Sequence, residues 1–243
     1  MKLAVYTAIA DGYDTLKAPR IKIPGVDYYC FTEPCSIVAE AWSRRDLAPE
    51  IDQSAATRNR YAKMLPHLLL PDYDASIYVD GNIEVLGNVM ELARRALAFG
   101  NVALYDHPVR IDPYSEAIEC ARIGFDWNRR IRVQMDRYRR AGMPRNVGLL
   151  EANIIIRAHN TERVIRAMES WWREWQDGVK RDQLSLMYVL WKENVSVCRL
   201  GRHDARFINQ YFAYGAHQRK PSRSPARWMR KIANRIDLAI HGI

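Results

Sequence analysis

The sequence predicts a single α/β domain built on a mainly parallel sheet flanked by helices. Short apolar runs of strand length alternate with stretches of helical periodicity. Three of those runs end abruptly in polar clusters, Asp11-Gly12-Tyr13, Asp80-Gly81-Asn82 and Asp106-His107. At 243 residues the chain has the size of one large α/β domain, or of a domain with an appendage.

Leu3 to Ile9 is a compact apolar run ending in a turn-rich segment, as in a buried parallel strand whose C-terminal end opens into a polar loop. Asp27 to Phe31 is a second strand. Ser54 to Leu70 reads as a helix, with Ser54 as N-cap, Tyr61, Met64, Leu65 and Leu68 near helical spacing, and Pro66 kinking or dividing it. Ala75 to Val79 is a strand. Val89 to Phe99 is a helix closed by Gly100, and Val102 to Tyr105 is a strand. Glu116 to Ala141 is helical and rich in arginine, so much of it should be solvated or face an anion. Leu149 to Arg157 is a strand, Thr161 to Trp175 a Trp-rich helix, Gln183 to Trp191 a helix, and Val195 to Leu200 a last short strand. Trp171, Trp172 and Trp175 read as core packing rather than as a sugar platform. The composition shifts after Gly215, where basic residues, Ser and Pro accumulate.

The net charge of +9 suggests a polyanionic partner: nucleic acid, an acidic membrane surface or a phosphorylated substrate. Cys30, Cys35, Cys120 and Cys198 form no Cys-x-x-Cys pair and read as free thiols of a reducing compartment. The N-terminal apolar run is too short to span a bilayer and lacks a signal-peptide cleavage region, and no run elsewhere approaches the roughly 20 residues needed. These features predict a soluble or peripheral protein in the cytoplasm.

In open α/β sheets ligands bind outside the carboxyl ends of the strands, although any such strand must also end in some polar turn. Asp80-Gly81-Asn82 sets two oxygen-bearing side chains two residues apart, where both can face one hard cation that also takes diphosphate oxygens. Asp-Gly-Asn is equally a common turn.

The segments Arg58-Asn59-Arg60-Tyr61-Ala62-Lys63-Met64-Leu65-Pro66-His67 and Tyr73 to Ile83, through Asp80-Gly81-Asn82, resemble the helix and strand leading to the Asp-x-Asp motif of GT-A glycosyltransferases. Val5-Tyr6-Thr7-Ala8, Gly12-Tyr13-Asp14, Cys30-Phe31-Thr32, His107-Pro108 with Arg110, and Arg181-Asp182-Gln183-Leu184-Ser185 carry the resemblance further. Over roughly residues 3 to 192 the chain resembles a glycosyltransferase-like domain family shared by bacterial proteins and plant Golgi proteins linked to mucilage and turgor. It is more distantly similar to glycogenin-type transferases. The resemblance implies a GT-A-like fold over residues 1–216. It implies that Thr7, Ala8, Asp11, Tyr13, Lys63 and Gly81 bind the nucleotide sugar. Asp80, Asn82 and His217 would hold Mn²⁺ or Mg²⁺, Lys220 would contact the diphosphate, and Asp182-Gln183 would lie beside the donor sugar. His107, Arg110 and Glu116 are candidates to contact acceptor or donor sugar. Two departures stand out: Asn82 replaces a second Asp, removing one negative charge from the metal site, and Glu151-Ala152-Asn153 stands where the glycogenin type has Asn-Ala-Gly. Glu151 could orient a hydroxyl or act as a base, which puts retaining stereochemistry in doubt.

The chemistry suits these residue types. Glycosyl transfer passes through an oxocarbenium-like state as a nucleoside diphosphate departs, so cations must neutralise the leaving group and carboxylates or an amide must hold hydroxyls. The expected function is transfer of a hexose from a nucleoside diphosphate sugar, UDP-linked by preference, to a glycan or glycolipid. Bacterial surface polysaccharide is the suggested destination. One rival is a metal-assisted hydrolase of a lipid or glycan, using Asp80, His107 and Asp182. Another is a nucleic-acid-binding protein using the Arg-rich helix, though no recognised signature supports it. Bland alternatives stand beside each residue: Lys63 as a solvated helix residue, His107 as a strand cap, Arg110 and Glu116 as an ion pair, Asp182 as an N-cap. Residues 217–243 form a basic amphipathic segment. Pro225 can open a helix in which Trp228, Ile232, Ile236 and Ile240 recur every four residues among Arg and Lys. That pattern suits either an anionic membrane surface, on the inner face, or packing on the domain or a second subunit.

Overall fold

The computed structural model describes residues 1–34, 36–47, 54–202, 209–215 and 224–241; Cys35, His217 and Lys220 lie outside the described residues. The chain begins with β1 (Leu3–Ala8), β2 (Val26–Thr32) and β3 (Ser43–Asp46), then α1 (Ala55–Met64) and α2 (Pro66–Leu69). After β4 (Ala75–Val79), β5 (Ile83–Val85), α3 (Val89–Leu97) and β6 (Val102–Leu104) come α4 (Pro113–Arg122) and α5 (Asn128–Arg140). The chain continues through β7 (Ile154–Arg157), α6 (Glu162–Asp177), α7 (Asp182–Lys192), β8 (Val197–Arg199), β9 (Phe212–Tyr214) and α8 (Pro225–His241).

Seven strands form one sheet in the order β3-β2-β1-β4-β7-β6-β8. Every pair is parallel except those of β7, which runs antiparallel to β4 and β6. The apolar strands β1 and β4 are buried along their whole length, as central strands covered on both faces must be. Their side chains alternate between two cores. Tyr6 and Tyr78 face Met64, Trp171 and Leu186, while Val5 and Ile77 face Leu92, Ala93 and Phe212.

Local chemistry explains most boundaries. Ser54 caps α1, its hydroxyl accepting from the Thr57 N–H at 3.3 Å. Pro66 separates α1 from α2. Trp171 is fully buried and Trp172 stacks on Trp175, so the tryptophans of α6 serve the core. The predicted helix over 116–141 is two helices. It breaks at Gly124, where φ is +68° and a β-carbon would meet the Arg227 carbonyl oxygen at 2.6 Å. The predicted strand from Leu149 starts only at Ile154, Leu150 making an isolated bridge to Asp106. Polar β3 and the two-stranded sheet of β5 and β9 carry no apolar run and escape the sequence pattern. The arginines of α5 are largely matched by neighbours. Arg137 pairs with Glu174, Arg139 with Asp136, and Arg130 reaches Asp126 and the Gly178 carbonyl.

The final helix packs with its polar side inward. Asn234 is buried, donating to the carbonyls of Ala121 and Asp126 and accepting from the Asn128 N–H. Asp237, the one acid of α8, accepts from the Asn128 amide. Trp228, Met229, Ile232, Ile236 and Ile240 are exposed on the opposite side. Among the described residues no helix is long and apolar enough to cross a membrane. Asn234→Ala should leave the Asp126 carbonyl and the Asn128 N–H without their partner, while Ala121 keeps the Gly124 N–H, and cost about 1–3 kcal/mol. The expected result is a lower denaturation midpoint with faster amide exchange along α8; an unchanged midpoint would show that α8 does not depend on this contact.

Candidate active site

A cleft of about 670 Å³ opens where β1, β4 and β6 end. Because β7 is antiparallel, the residues that enter it, Glu151-Ala152-Asn153, reach the same edge, and the Asp80 N–H donates to the Asn153 carbonyl. Ala8, Ile9, Ala10 and Tyr13 form one wall, Asp80 and Gly81 the centre, and His107 and Arg110 another wall. Asn59, Arg60 and Lys63 enter from α1, and Arg181, Asp182 and Gln183 from the start of α7.

One ionic network lies at the centre. Arg60 and Lys63 share a face of α1 at i, i+3 spacing and clasp Asp182, Arg60 Nε donating to Oδ1 at 2.7 Å and Lys63 Nζ to Oδ2 at 2.8 Å. Lys63 Nζ also lies 3.4 Å from Asp80 Oδ1, which accepts from the Tyr78 hydroxyl at 3.0 Å. Burial alone would raise the Asp182 carboxyl, but the charges of Arg60 and Lys63 outweigh it and hold Asp182 well below the usual carboxylate range. Burial, then the Asp80 charge, pushes the Tyr78 phenol well above its ordinary value, so it stays a donor. Beneath the cleft, fully buried Arg157 donates to the Lys63 carbonyl at 2.7 Å and to the Tyr6 hydroxyl. Burial pushes the Tyr6 phenol up to about 12.

A second network lines the other wall. His107 Nδ1 accepts from the N–H groups of Val109 and Arg110 at 3.2 and 2.9 Å, which assigns the ring proton to Nε2. Nε2 lies 3.4 Å from Glu151 Oε1, and Gln183 Nε2 donates to Glu151 Oε2 at 3.5 Å. Glu116 is buried behind the wall and accepts from Arg110 Nε and, at 2.7 Å, from Arg181 Nε.

Thus Ala8, Tyr13, Lys63, Asp80, Gly81, His107, Arg110, Glu151, Asp182 and Gln183 share one cleft. Thr7 is buried within β1, and Asp11 stands apart from the lining, accepting from Arg58 at 2.9 Å. Glu116 anchors two lining arginines rather than lining the cleft itself. Gly81 has no room for a side chain: a β-carbon would meet Ile9 Cγ1 at 2.9 Å. Asn82 is buried and donates its amide to the Gly215 carbonyl at 2.8 Å. Sequence reasoning passed over Arg60 and Arg157. Only Arg60 left a signal, its i, i+3 spacing from Lys63.

Among the described residues no three His, Cys, Asp or Glu side chains converge as a metal site. The candidate donors are the Asp80 carboxylate, which lines the cleft, and the amide of buried Asn82, which does not, a set that suits Mg²⁺ or Mn²⁺ only when substrate phosphates complete the shell. A hydrolase centre built from Asp80, His107 and Asp182 finds no support, since Asp182 is already held by two cations.

A family described as "TOD1/MUCI70, glycosyltransferase-like domain" matches residues 51–202. No curated protein matches the chain significantly. Among solved structures, the galactosyltransferase LgtC in complex with donor and acceptor sugar analogues superposes with a TM-score of 0.51 at 12% identity, covering 99% of this chain and 97% of that one. Mouse xyloside xylosyltransferase 1, in its apo form, superposes with a TM-score of 0.49 at 11% identity, covering 82% and 85%. The likeness to LgtC shows the fold, which is GT-A.

Asp182→Asn should cost about 3–5 kcal/mol at neutral pH, because it leaves Arg60 and Lys63 facing each other without their shared charge. A depressed carboxyl contributes its full stability above the unfolded Asp value near 3.9. As the pH falls below that, the unfolded chain takes up the proton first and the contribution fades. Denaturation from pH 7 down to pH 3 should therefore show the gap between wild type and variant narrowing only below about pH 4. A constant gap would show that Asp182 is not held by charge.

Proposed function

Because the chain belongs to the TOD1/MUCI70 glycosyltransferase-like domain family and is accordingly a glycosyltransferase, we propose that it moves a hexose from a UDP-sugar to a glycan or glycolipid acceptor. The observation that carries this is the pairing, at the strand ends, of Asp80 with the Lys63–Asp182–Arg60 network inside a cleft of about 670 Å³, a size suited to a nucleotide sugar. Ala8 and Tyr13 would receive base and ribose. The bond from the anomeric carbon to the diphosphate breaks with its electron pair leaving on the phosphate, while the acceptor oxygen bonds to that carbon. Lys63 and Arg60, fixed before substrate arrives, would stabilise the charge on the leaving group without reorganising. A divalent cation held by Asp80, Asn82 and His217 would supplement that charge when bound, and Lys220 would contact the diphosphate.

Asp182 is too strongly held to accept a proton at neutral pH, so its role is to fix Lys63 and Arg60. Gln183 would orient a sugar hydroxyl. Glu151, held between His107 and Gln183, is the candidate to take the acceptor's proton. Calorimetry should show UDP binding in the presence of Mn²⁺ or Mg²⁺, and Asp80→Ala should weaken it by tenfold or more. No binding by the wild type with metal present would remove the donor assignment.

A glycolipid acceptor, as in surface polysaccharide assembly, would place the enzyme on the cytoplasmic face of a membrane, and α8 supports this. Its polar side is buried, its apolar side with Trp228 faces outward, and Lys231 and Arg235 flank that side. A symmetric dimer through α8 would set these like charges against each other, whereas an anionic bilayer complements them. Sedimentation with anionic vesicles at low salt should capture the full chain, and Ile232→Asp with Ile236→Asp should abolish capture. Equal sedimentation with neutral vesicles, or none with anionic ones, would count against the membrane contact.

A further inference from the structure

The geometry points to a second anion site in the cleft, formed by Arg110 and Arg181, that recognises an anionic substituent, such as a uronate carboxylate, on the transferred sugar or on the acceptor. This rests on the proposed function above and names the substrate class that the same cleft would prefer.

Three observations carry it. First, two guanidiniums share one buried carboxylate, and both offer it only Nε: Arg110 to Glu116 Oε2, and Arg181 to Oε1 at 2.7 Å. Both guanidiniums therefore lean on a single buried acid, and both residues line the cleft. Second, the terminal nitrogens of Arg181 have no hydrogen-bond partner among the described residues, although the side chain is two-thirds buried at 32% exposure. A guanidinium anchored through Nε keeps its Nη pair for a planar anion, the arrangement that binds carboxylates with two parallel bonds. Third, Arg110 Nη2 approaches His107 Nε2 to 3.0 Å. His107 Nδ1 already accepts two backbone N–H groups, so Nε2 carries the proton and faces Glu151 Oε1 at 3.4 Å, which leaves Arg110 Nη2 without an acceptor at this contact. An oxygen bearing lone pairs, placed at the mouth of this contact, would accept from Arg110 Nη2.

The position separates this site from the one proposed for the diphosphate. Lys63 and Arg60 gather around Asp182 and Asp80, whereas Arg110 follows β6 and sits with His107, Glu151 and Glu116. The two networks meet at the start of α7, where Arg181 and Gln183 serve one and Asp182 the other. A sugar whose diphosphate lies at Asp80 would thus meet the arginine pair with a substituent remote from the leaving group, as would an acceptor entering along the His107 wall.

Two arms distinguish the sources. In the donor arm, calorimetry compares UDP-glucuronate with UDP-glucose; in the acceptor arm, saturation-transfer NMR compares a uronate disaccharide with its methyl ester, with UDP present and absent. We expect the charged ligand to bind roughly tenfold or more tightly in one arm, as one charge-assisted bidentate contact would give. Arg181→Lys, which keeps a cation on Glu116 while removing the two terminal donors, should erase that preference and leave UDP affinity unchanged. Arg110→Lys should weaken it in the same direction. Equal binding of charged and neutral ligands by the wild type in both arms overturns the proposal without any variant. If the variants instead lose UDP itself, the arginines hold the diphosphate, and the proposal fails while the donor assignment stands. If UDP does not bind yet the uronate preference and its loss on Arg181→Lys are seen, the anion site stands and the donor assignment fails.

Discussion

The cleft depends on one buried ion triad. Asp182, at the first turn of α7, is held by Arg60 and Lys63 from α1, so a single carboxylate registers two helices that approach from opposite ends of the chain. Such a triad is a weak source of net stability, because desolvating three charges offsets most of their attraction. Its value is positional. The helix N-terminus favours the negative charge of Asp182, Arg157 and Tyr6 hold the C-terminal end of α1 from beneath, and Trp171 donates to the Asp182 carbonyl from the core. Lys63 therefore presents its ammonium at a fixed point between Asp182 and Asp80, which is what the role proposed for it in stabilising developing charge requires.

Sheet topology does the rest of the assembly. Parallel strands alone would bring Asp80, the β1 terminus and the segment after β6 to one edge. Reversing β7 adds Glu151-Ala152-Asn153 to that edge from the opposite chain direction. The carboxylate of Glu151 thereby meets His107 and Gln183, which lie 44 and 32 residues away along the chain. Charges on the two walls are each organised by a buried acid: Asp182 for one pair of cations, Glu116 for the other.

The last helix shows how one amphipathic pattern supports two opposite arrangements. Its stripe of Trp228, Ile232, Ile236 and Ile240 has the spacing of a core-facing helix, yet it faces outward. What reverses it is Asn234, which satisfies two carbonyls and one N–H where α4 ends and α5 begins, together with Gly124, whose lack of a side chain lets α8 cross closely. Neither residue stands out in the sequence, because an isolated Asn or Gly has many uses.

The sequence by itself determined the alternation of strands and helices, the Ser54 cap, the Pro66 break, and the strand ends at which the cleft opens. These are local matters of apolar period, capping and turn chemistry, legible within a few residues. It also marked Asp80, Lys63 and the Asp182-Gln183 pair, because their segments match a family pattern, and Glu151, because its segment departs from one. Tertiary structure alone decided the partners. Glu116 looks like a surface helix acid until packing buries it under two arginines, and Arg157 looks out of place at the end of an Ile-Ile-Ile strand until Tyr6 and the Lys63 carbonyl close on it. The same holds for polar β3, for the β5–β9 pair and for the outward stripe of α8. Each depends on contacts between residues far apart in the chain, and no local pattern encodes which distant group will desolvate a charge or satisfy a backbone carbonyl.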